Sequence, residues 1–173
     1  VEVVPMFVFA NSNVPAIASV KPFTPLELLG RNIYLTEGCS NCHTQMVRPL
    51  IAETKRYGEF SQPGEFIYDQ PAQWGKQRIG PDLARESGKQ SSFWHWQHLE
   101  NPRHSNPDSA MPSYQYLLDR PINVEQANDL VQAARESGIP YDIDLDGTQS
   151  SISKQAERIA ADIVSKGGTV RRG

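Results

Sequence analysis

Gly38-Cys39-Ser40-Asn41-Cys42-His43-Thr44 is the segment on which the reading of this sequence turns. It contains both cysteines of a 173-residue chain, three positions apart, with a histidine directly after the second. Such a C-x-x-C-H pattern is the attachment signature of c-type haem. Two thiols one helical turn apart can each add to one of two neighbouring vinyl groups of a porphyrin. The adjacent imidazole is then held under the iron as its proximal ligand. Random placement produces the pattern roughly once in 3,000 chains. The competing readings are a redox dithiol, which wants a βαβ surround, and a zinc site, which wants about four ligands. The sequence offers neither β-alternation nor a second cysteine pair. One covalent haem c is therefore expected on Cys39 and Cys42, with His43 on the iron.

The flanking sequence predicts how this segment is delivered. Thr24-Pro25-Leu26-Glu27 reads as a capping box, with a Thr N-cap, Pro at the first helical position and Glu three residues after the cap. Leu26, Leu29 and Ile33 share one helical face, and Gly38 is placed to end the helix with a positive φ. Downstream, residues 44–79 show little periodicity. Gly58, Pro63, Gly64, Pro71 and Gly75 punctuate them, with Tyr57, Phe60, Phe66, Tyr68 and Trp74 in between. Gly80-Pro81 reads as a turn. A short helix is expected from Phe93 to about Glu100, capped by Ser91 or Ser92, followed by a proline-rich loop over 101–112. A further helix should run from an Asn123 cap to Gly138. After a polar linker over 141–150, an amphipathic helix should run from about Ile152 to Lys166. The fold class implied is all-α with long loops. Three parts are expected: an extended N-terminal segment over 1–23, a haem domain over 24–138, and a linker with a C-terminal amphipathic helix over 139–173.

Haem iron usually has a sixth ligand. Met6, Met46, Met111, His95, His98 and His104 are the available side chains. Met46 follows His43 by only three residues and cannot easily reach the opposite ring face, so packing or contact is its expected role. Met6 lies in the proline-broken N-terminus and is expected to be apolar contact. Met111 sits well downstream in Ser109-Ala110-Met111-Pro112, a loop that can fold over the far face, and is the expected axial ligand. His95 and His98, beside Trp94 and Trp96, read as packing or surface. Pro81 is expected near His43, and the carbonyl preceding it, that of Gly80, can accept from the imidazole Nδ1–H, which orients the ring and raises its basicity. Arg48, Arg56, Arg78 and Trp74 are candidates for holding the propionates; a solvated surface charge or partner contact is the plain alternative for each arginine.

Composition narrows the class. With 38% hydrophobic and 21% charged residues the chain is that of a globular protein, neither a disordered tail nor a membrane bundle. Its length suits one ordinary domain, or one domain with appended segments. Seventeen Lys and Arg against twenty Asp and Glu give a net charge of −3, so no basic excess points to nucleic acid. The longest nearly unbroken apolar run, Val3 to Ala10, is interrupted by Pro5 and falls short of the about 20 residues that span a bilayer. No signal-peptide pattern is visible.

Several segments together resemble one family. They are Gly30-Arg31-Asn32-Ile33-Tyr34, GCSNCHTQMVRPL (38–50), ETKRYGEFS (53–61), GEFIYDQPAQWGKQRIGPDL (64–83) and ENPRHSNPDSAMPSY (100–114). They are similar to the mono-haem cytochrome c subunit, subunit II, of cbb3-type cytochrome c oxidases, and VEVVPMF (1–7) resembles the segment just outside that family's membrane anchor. The resemblance implies a class I-like cytochrome c domain with an extra C-terminal helix, Cys39 and Cys42 carrying the haem, and His43 and Met111 axial. It also implies an integral-membrane haem–copper catalytic subunit and a di-haem cytochrome c subunit as partners, at the periplasmic face of the bacterial inner membrane. The family's N-terminal transmembrane helix is missing from this sequence, so attachment through it is implied by the resemblance alone. The expected function is one-electron transfer within an oxidase that reduces oxygen to water, the chain itself making no bond. A free periplasmic shuttle cytochrome is the alternative. A haem enzyme or sensor with an open distal site is a further one, and it requires Met111 not to ligate.

Overall fold

The structure, a computed structural model, describes residues 14, 17–142 and 145–170, the side chains of 145 and 146 excepted. The expected extended segment over 1–23 therefore lies largely outside the described residues. Among the described residues there are five α-helices and no β-strand: α1 (Pro25–Thr36), α2 (Ile51–Tyr57), α3 (Ser92–Glu100), α4 (Val124–Glu136) and α5 (Leu145–Ser165). Short 3-10 turns lie at Cys39–Asn41, Pro63–Phe66, Pro102–His104 and Gln115–Asp119. The fold is all-α, as the pattern predicts. The chain divides into two compact units, one of Val1–Phe23 and Cys39–Arg85, the other of Thr24–Gly38 and Glu86–Gly173.

The second unit is built on an apolar core. Its first helix, α1, begins with the predicted capping box: Thr24 accepts from the Glu27 N–H, and the Glu27 carboxylate accepts from the Thr24 N–H at 2.7 Å. Leu29 of α1, Ala127 of α4 and Ile152 of α5 form the core, with Leu26, Val124 and Leu130 packed against it. Ile33, the third member of the predicted stripe, is 37% exposed, while Leu28 is buried. Asn123 caps α4 through the Gln126 N–H, and Ser91 caps α3 through the Trp94 N–H, both as expected. The Asp162 side chain of α5 accepts from the Phe93 N–H at the start of α3, joining these two helices.

Two sequence expectations need correcting. The last helix starts at Leu145, not near Ile152, so most of the supposed linker is helical. The signal was hidden because the stripe opens with a buried threonine: Thr148 is 1% exposed and stands one turn before Ile152. The segment 44–79 also contains a helix, α2, which hydrophobic periodicity could not reveal. Its buried residue is Glu53, whereas Ile51 is 77% exposed, so its apolar pattern is inverted.

The first unit differs in what fills it. Its described part buries one hydrophobic side chain, Val47, together with the polar Thr44, Glu53, Asp69 and Asp82. The segment after the C-x-x-C-H motif runs beside residues 80–83, joined by Gly80 N–H to the Cys42 carbonyl at 2.9 Å and Leu83 N–H to the Thr44 carbonyl at 2.7 Å. Gly80-Pro81, expected as a simple turn, is thus part of a paired run.

Candidate functional site

The first unit presents the C-x-x-C-H motif on one tight turn. α1 closes with the Glu37 N–H on the Ile33 carbonyl and the Gly38 N–H on the Leu35 carbonyl, and Gly38 takes a φ of 69°, which favours glycine. The chain then enters the 3-10 turn Cys39–Asn41. The N–H groups of Cys42 and His43 both donate to the Cys39 carbonyl, at 3.1 and 3.0 Å. Cys39 and Cys42 are half-buried, and no disulfide joins them.

His43 is held from two sides. Its Nδ1 lies 2.8 Å from the carbonyl oxygen of Pro81 itself, one residue beyond the expected Gly80 carbonyl. A carbonyl can only accept, so Nδ1 carries the proton and Nε2 the lone pair, the form in which imidazole ligates a metal. Gly80 lies against the ring: a methyl built there would stand 2.8 Å from both Nδ1 and Nε2, so a side chain does not fit while the ring keeps its place. Behind the motif runs Gly75, with φ 72°, where a methyl would stand 3.1 Å from the Thr44 Cα and 3.2 Å from the Ser40 carbonyl. The Trp74 carbonyl accepts from the Gln45 N–H at 3.0 Å and ties this loop down.

An ionic cluster underlies the histidine. Asp82 is 1% exposed, and its Oδ2 accepts from the Thr44 hydroxyl at 2.6 Å, the Met46 N–H at 3.0 Å and Arg78 at 3.2 Å. Its other oxygen accepts from the Ala84 N–H at 2.9 Å. Arg78 further donates to the Thr44 hydroxyl, the Met46 carbonyl and Glu53. Glu53 also accepts from the Arg48 N–H at 2.8 Å and pairs with the Arg48 guanidinium. The hydrogen bond from Arg78 is the main reason the Glu53 carboxyl falls from 4.5 to about 2, working against burial. The same bond, again against burial, holds the Arg78 guanidinium above its ordinary value. Arg85 pairs with Glu65 in two bonds, 2.7 and 2.8 Å, and fastens the Pro63–Phe66 turn.

Of the predicted residues, the first unit brings Cys39, Cys42, His43, Pro81 and Arg78 into one place. Arg56 is exposed beside the Tyr57 ring, and with Arg78, Ile79, Gly80 and Pro81 it lines a cleft of about 350 Å³. Arg48 is turned to Glu53, and Trp74 is 47% exposed with its edge on Phe66. Met111 belongs to the second unit, half-buried in the expected loop, with its N–H on the Ser109 hydroxyl at 3.2 Å. His98 stacks on Trp94 at 4.6 Å, and its Nδ1 lies 2.8 Å from the Ser105 hydroxyl; His95 is exposed. Sequence reasoning missed Thr44, Glu53 and Asp82. The one available signal was an acidic residue directly after Gly80-Pro81.

The donor set fits a covalently bound haem: two thiols on one turn, a histidine whose tautomer is fixed by a carbonyl, and a glycine that leaves room for the ring. Comparison with known proteins gives an independent result. Residues 1–172 match the family model described as cytochrome C oxidase, mono-heme subunit/FixO. A search of curated proteins finds no match.

Proposed function

Because the chain belongs to the mono-haem subunit family of cytochrome c oxidase, we propose that it carries single electrons within that oxidase through one covalently bound haem c. The observation that carries this reading is the Cys39–His43 turn, with the imidazole Nδ1 on the Pro81 carbonyl at 2.8 Å. Cys39 and Cys42 hold the cofactor by thioether bonds, and His43 offers Nε2 to the iron. Met111 supplies the second axial ligand; the sequence supports this, through its place in a proline-stiffened loop downstream of the motif. Bound haem iron supplies the one-electron change, and the protein supplies position, burial and tuning. Arg48, Arg56 and Trp74 remain the residues proposed to meet the propionates, whereas Arg78 already serves Glu53, Asp82, Thr44 and Met46. The subunit works in a complex with other oxidase subunits. We place it beside an integral-membrane haem–copper subunit and a di-haem cytochrome c subunit, at the periplasmic face of the bacterial inner membrane. No described helix is long and apolar enough to cross a membrane.

The test is made on protein matured with a haem-ligation system. Its intact mass should exceed that of the polypeptide by one haem after acid–acetone extraction, and Cys39→Ala with Cys42→Ala should remove the excess. Oxidised protein should show the far-red sulfur-to-iron band. Met111→Ala should abolish that band and lower the potential, while Met46→Ala keeps it. Extractable haem in the wild type refutes the attachment. A band that survives Met111→Ala refutes the second ligand.

A further inference from the structure

We propose that Thr44 and Asp82 are positioning residues for the haem ligand His43: the hydrogen bond between their side chains locks together the two segments that form the imidazole–carbonyl bond, and so sets that bond's strength. The inference rests on the reading of His43 as a haem ligand given above. Its basis is a parallel in the chain. His43 bonds to Pro81, and the next residue on each side, Thr44 and Asp82, bond to each other at 2.6 Å. Two backbone bonds bracket the pair, Gly80 to Cys42 and Leu83 to Thr44. The Pro81 carbonyl is thus fixed by contacts immediately before and after it.

The carboxylate is costly to keep there. The Asp82 side chain has no exposed surface, and a buried ion is tolerated only when its partners are well placed. Asp82 has four: the Thr44 hydroxyl, the Met46 N–H, the Ala84 N–H and the Arg78 guanidinium. Three of these, Thr44, Met46 and Ala84, lie in the segments that carry His43 and Pro81. An apolar pair of the same volume would close the same gap as stably. It would not fix the segments in register, because apolar contacts slide where hydrogen bonds do not. A carbonyl held firmly on Nδ1–H gives the imidazole more anionic character and favours ferric iron. Loosening the carbonyl therefore favours ferrous iron.

Thr44→Val is the discriminating change, because it removes the hydroxyl and alters no charge. In the holoprotein it should shift the ferrous-to-ferric ratio at fixed ambient potential about threefold toward ferrous, which is about 28 mV. It should also speed solvent exchange of the His43 Nδ1–H in the ferrous state, read by NMR. Thr44→Ser restores the hydroxyl and should restore both. Asp82→Asn gives a second route if Thr44→Val yields no holoprotein. Either orientation of the amide points its NH₂ at a donor, Ala84 N–H on one side or Thr44, Met46 and Arg78 on the other, so exchange should again quicken. A Thr44→Val protein that is less stable but keeps wild-type potential and exchange overturns the inference and leaves the haem reading intact. Wild-type protein without covalent haem overturns both.

Discussion

Gly80→Ala offers a direct test of the site, because its consequence can be worked from distances. The added methyl would stand 2.8 Å from His43 Nδ1 and from Nε2. Cε1 of the ring would lie closer still, and ordinary contact needs about 3.5 Å, so the ring has to retreat by more than ~0.7 Å. The Nδ1 to Pro81 bond is 2.8 Å long, and a retreat of that size along it carries the pair beyond about 3.5 Å, out of hydrogen-bond range. The backbone is no obstacle, since Gly80 is not among the residues with positive φ. The clash therefore acts alone. Losing the bond costs about 1 kcal/mol, and overpacking adds about 1–3 kcal/mol. The holoprotein should lose roughly 2–4 kcal/mol by equilibrium denaturation, with a perturbed ligation spectrum. Gly30→Ala is the control: it lies inside α1 with nothing within 4 Å, and should gain about 0.5–1 kcal/mol. A Gly80→Ala protein with wild-type stability and spectrum would refute the placement of the imidazole.

Two further outcomes follow from the same unit. Glu53 has a folded value near 2 against 4.5 unfolded, so its stabilisation is complete above about pH 4.5 and is lost as pH falls toward 2. The full difference is at most ~3 kcal/mol, and solvent screening on the exposed Arg48 side leaves ~1–2 kcal/mol. Acid denaturation curves of wild type should show this slope, and Glu53→Gln should flatten it; equal slopes would remove Glu53 from the account. Gly75→Ala should cost clearly more than Gly88→Ala in thermal unfolding. Both glycines have positive φ, but a methyl meets the motif's backbone only at Gly75 and finds open space at Gly88.

The legible parts of the sequence were those that follow local rules. The Thr24 capping box, the Asn123 and Ser91 caps and Gly38 each act within one turn, so a short window of sequence contains the whole cause. The C-x-x-C-H turn was readable because the chemistry dictates its spacing, and Pro81 was placed beside the histidine, though the carbonyl that accepts is its own and not the one before it. Where periodicity failed, the buried face was polar. α2 buries Glu53, and α5 opens on Thr148, so a hydrophobic stripe was absent or shortened. The Thr44–Asp82–Arg78–Glu53 cluster was invisible for a further reason. Its members span positions 44 to 82, and no local pattern distinguishes a carboxylate bound for burial from one bound for solvent.

The two units are stabilised by different physics, and the difference suits the proposed role. The second unit has an apolar core of Leu29, Ala127 and Ile152. The first buries Val47 as its one described hydrophobe and leaves Leu50, Ile51, Phe60, Trp74 and Ile79 exposed. What gives it order is the ionic cluster and the paired run 42–46 with 80–83. Hydrogen bonds and ion pairs are directional, whereas hydrophobic contact is not. A unit ordered this way fixes the histidine's orientation closely while contributing little apolar burial of its own. Orientation is what an electron-transfer ligand needs, since iron's potential responds to the bond on the far side of the ring. The polar interior around His43 is thus better understood as the instrument that holds the proposed ligand than as a weak version of a hydrophobic core.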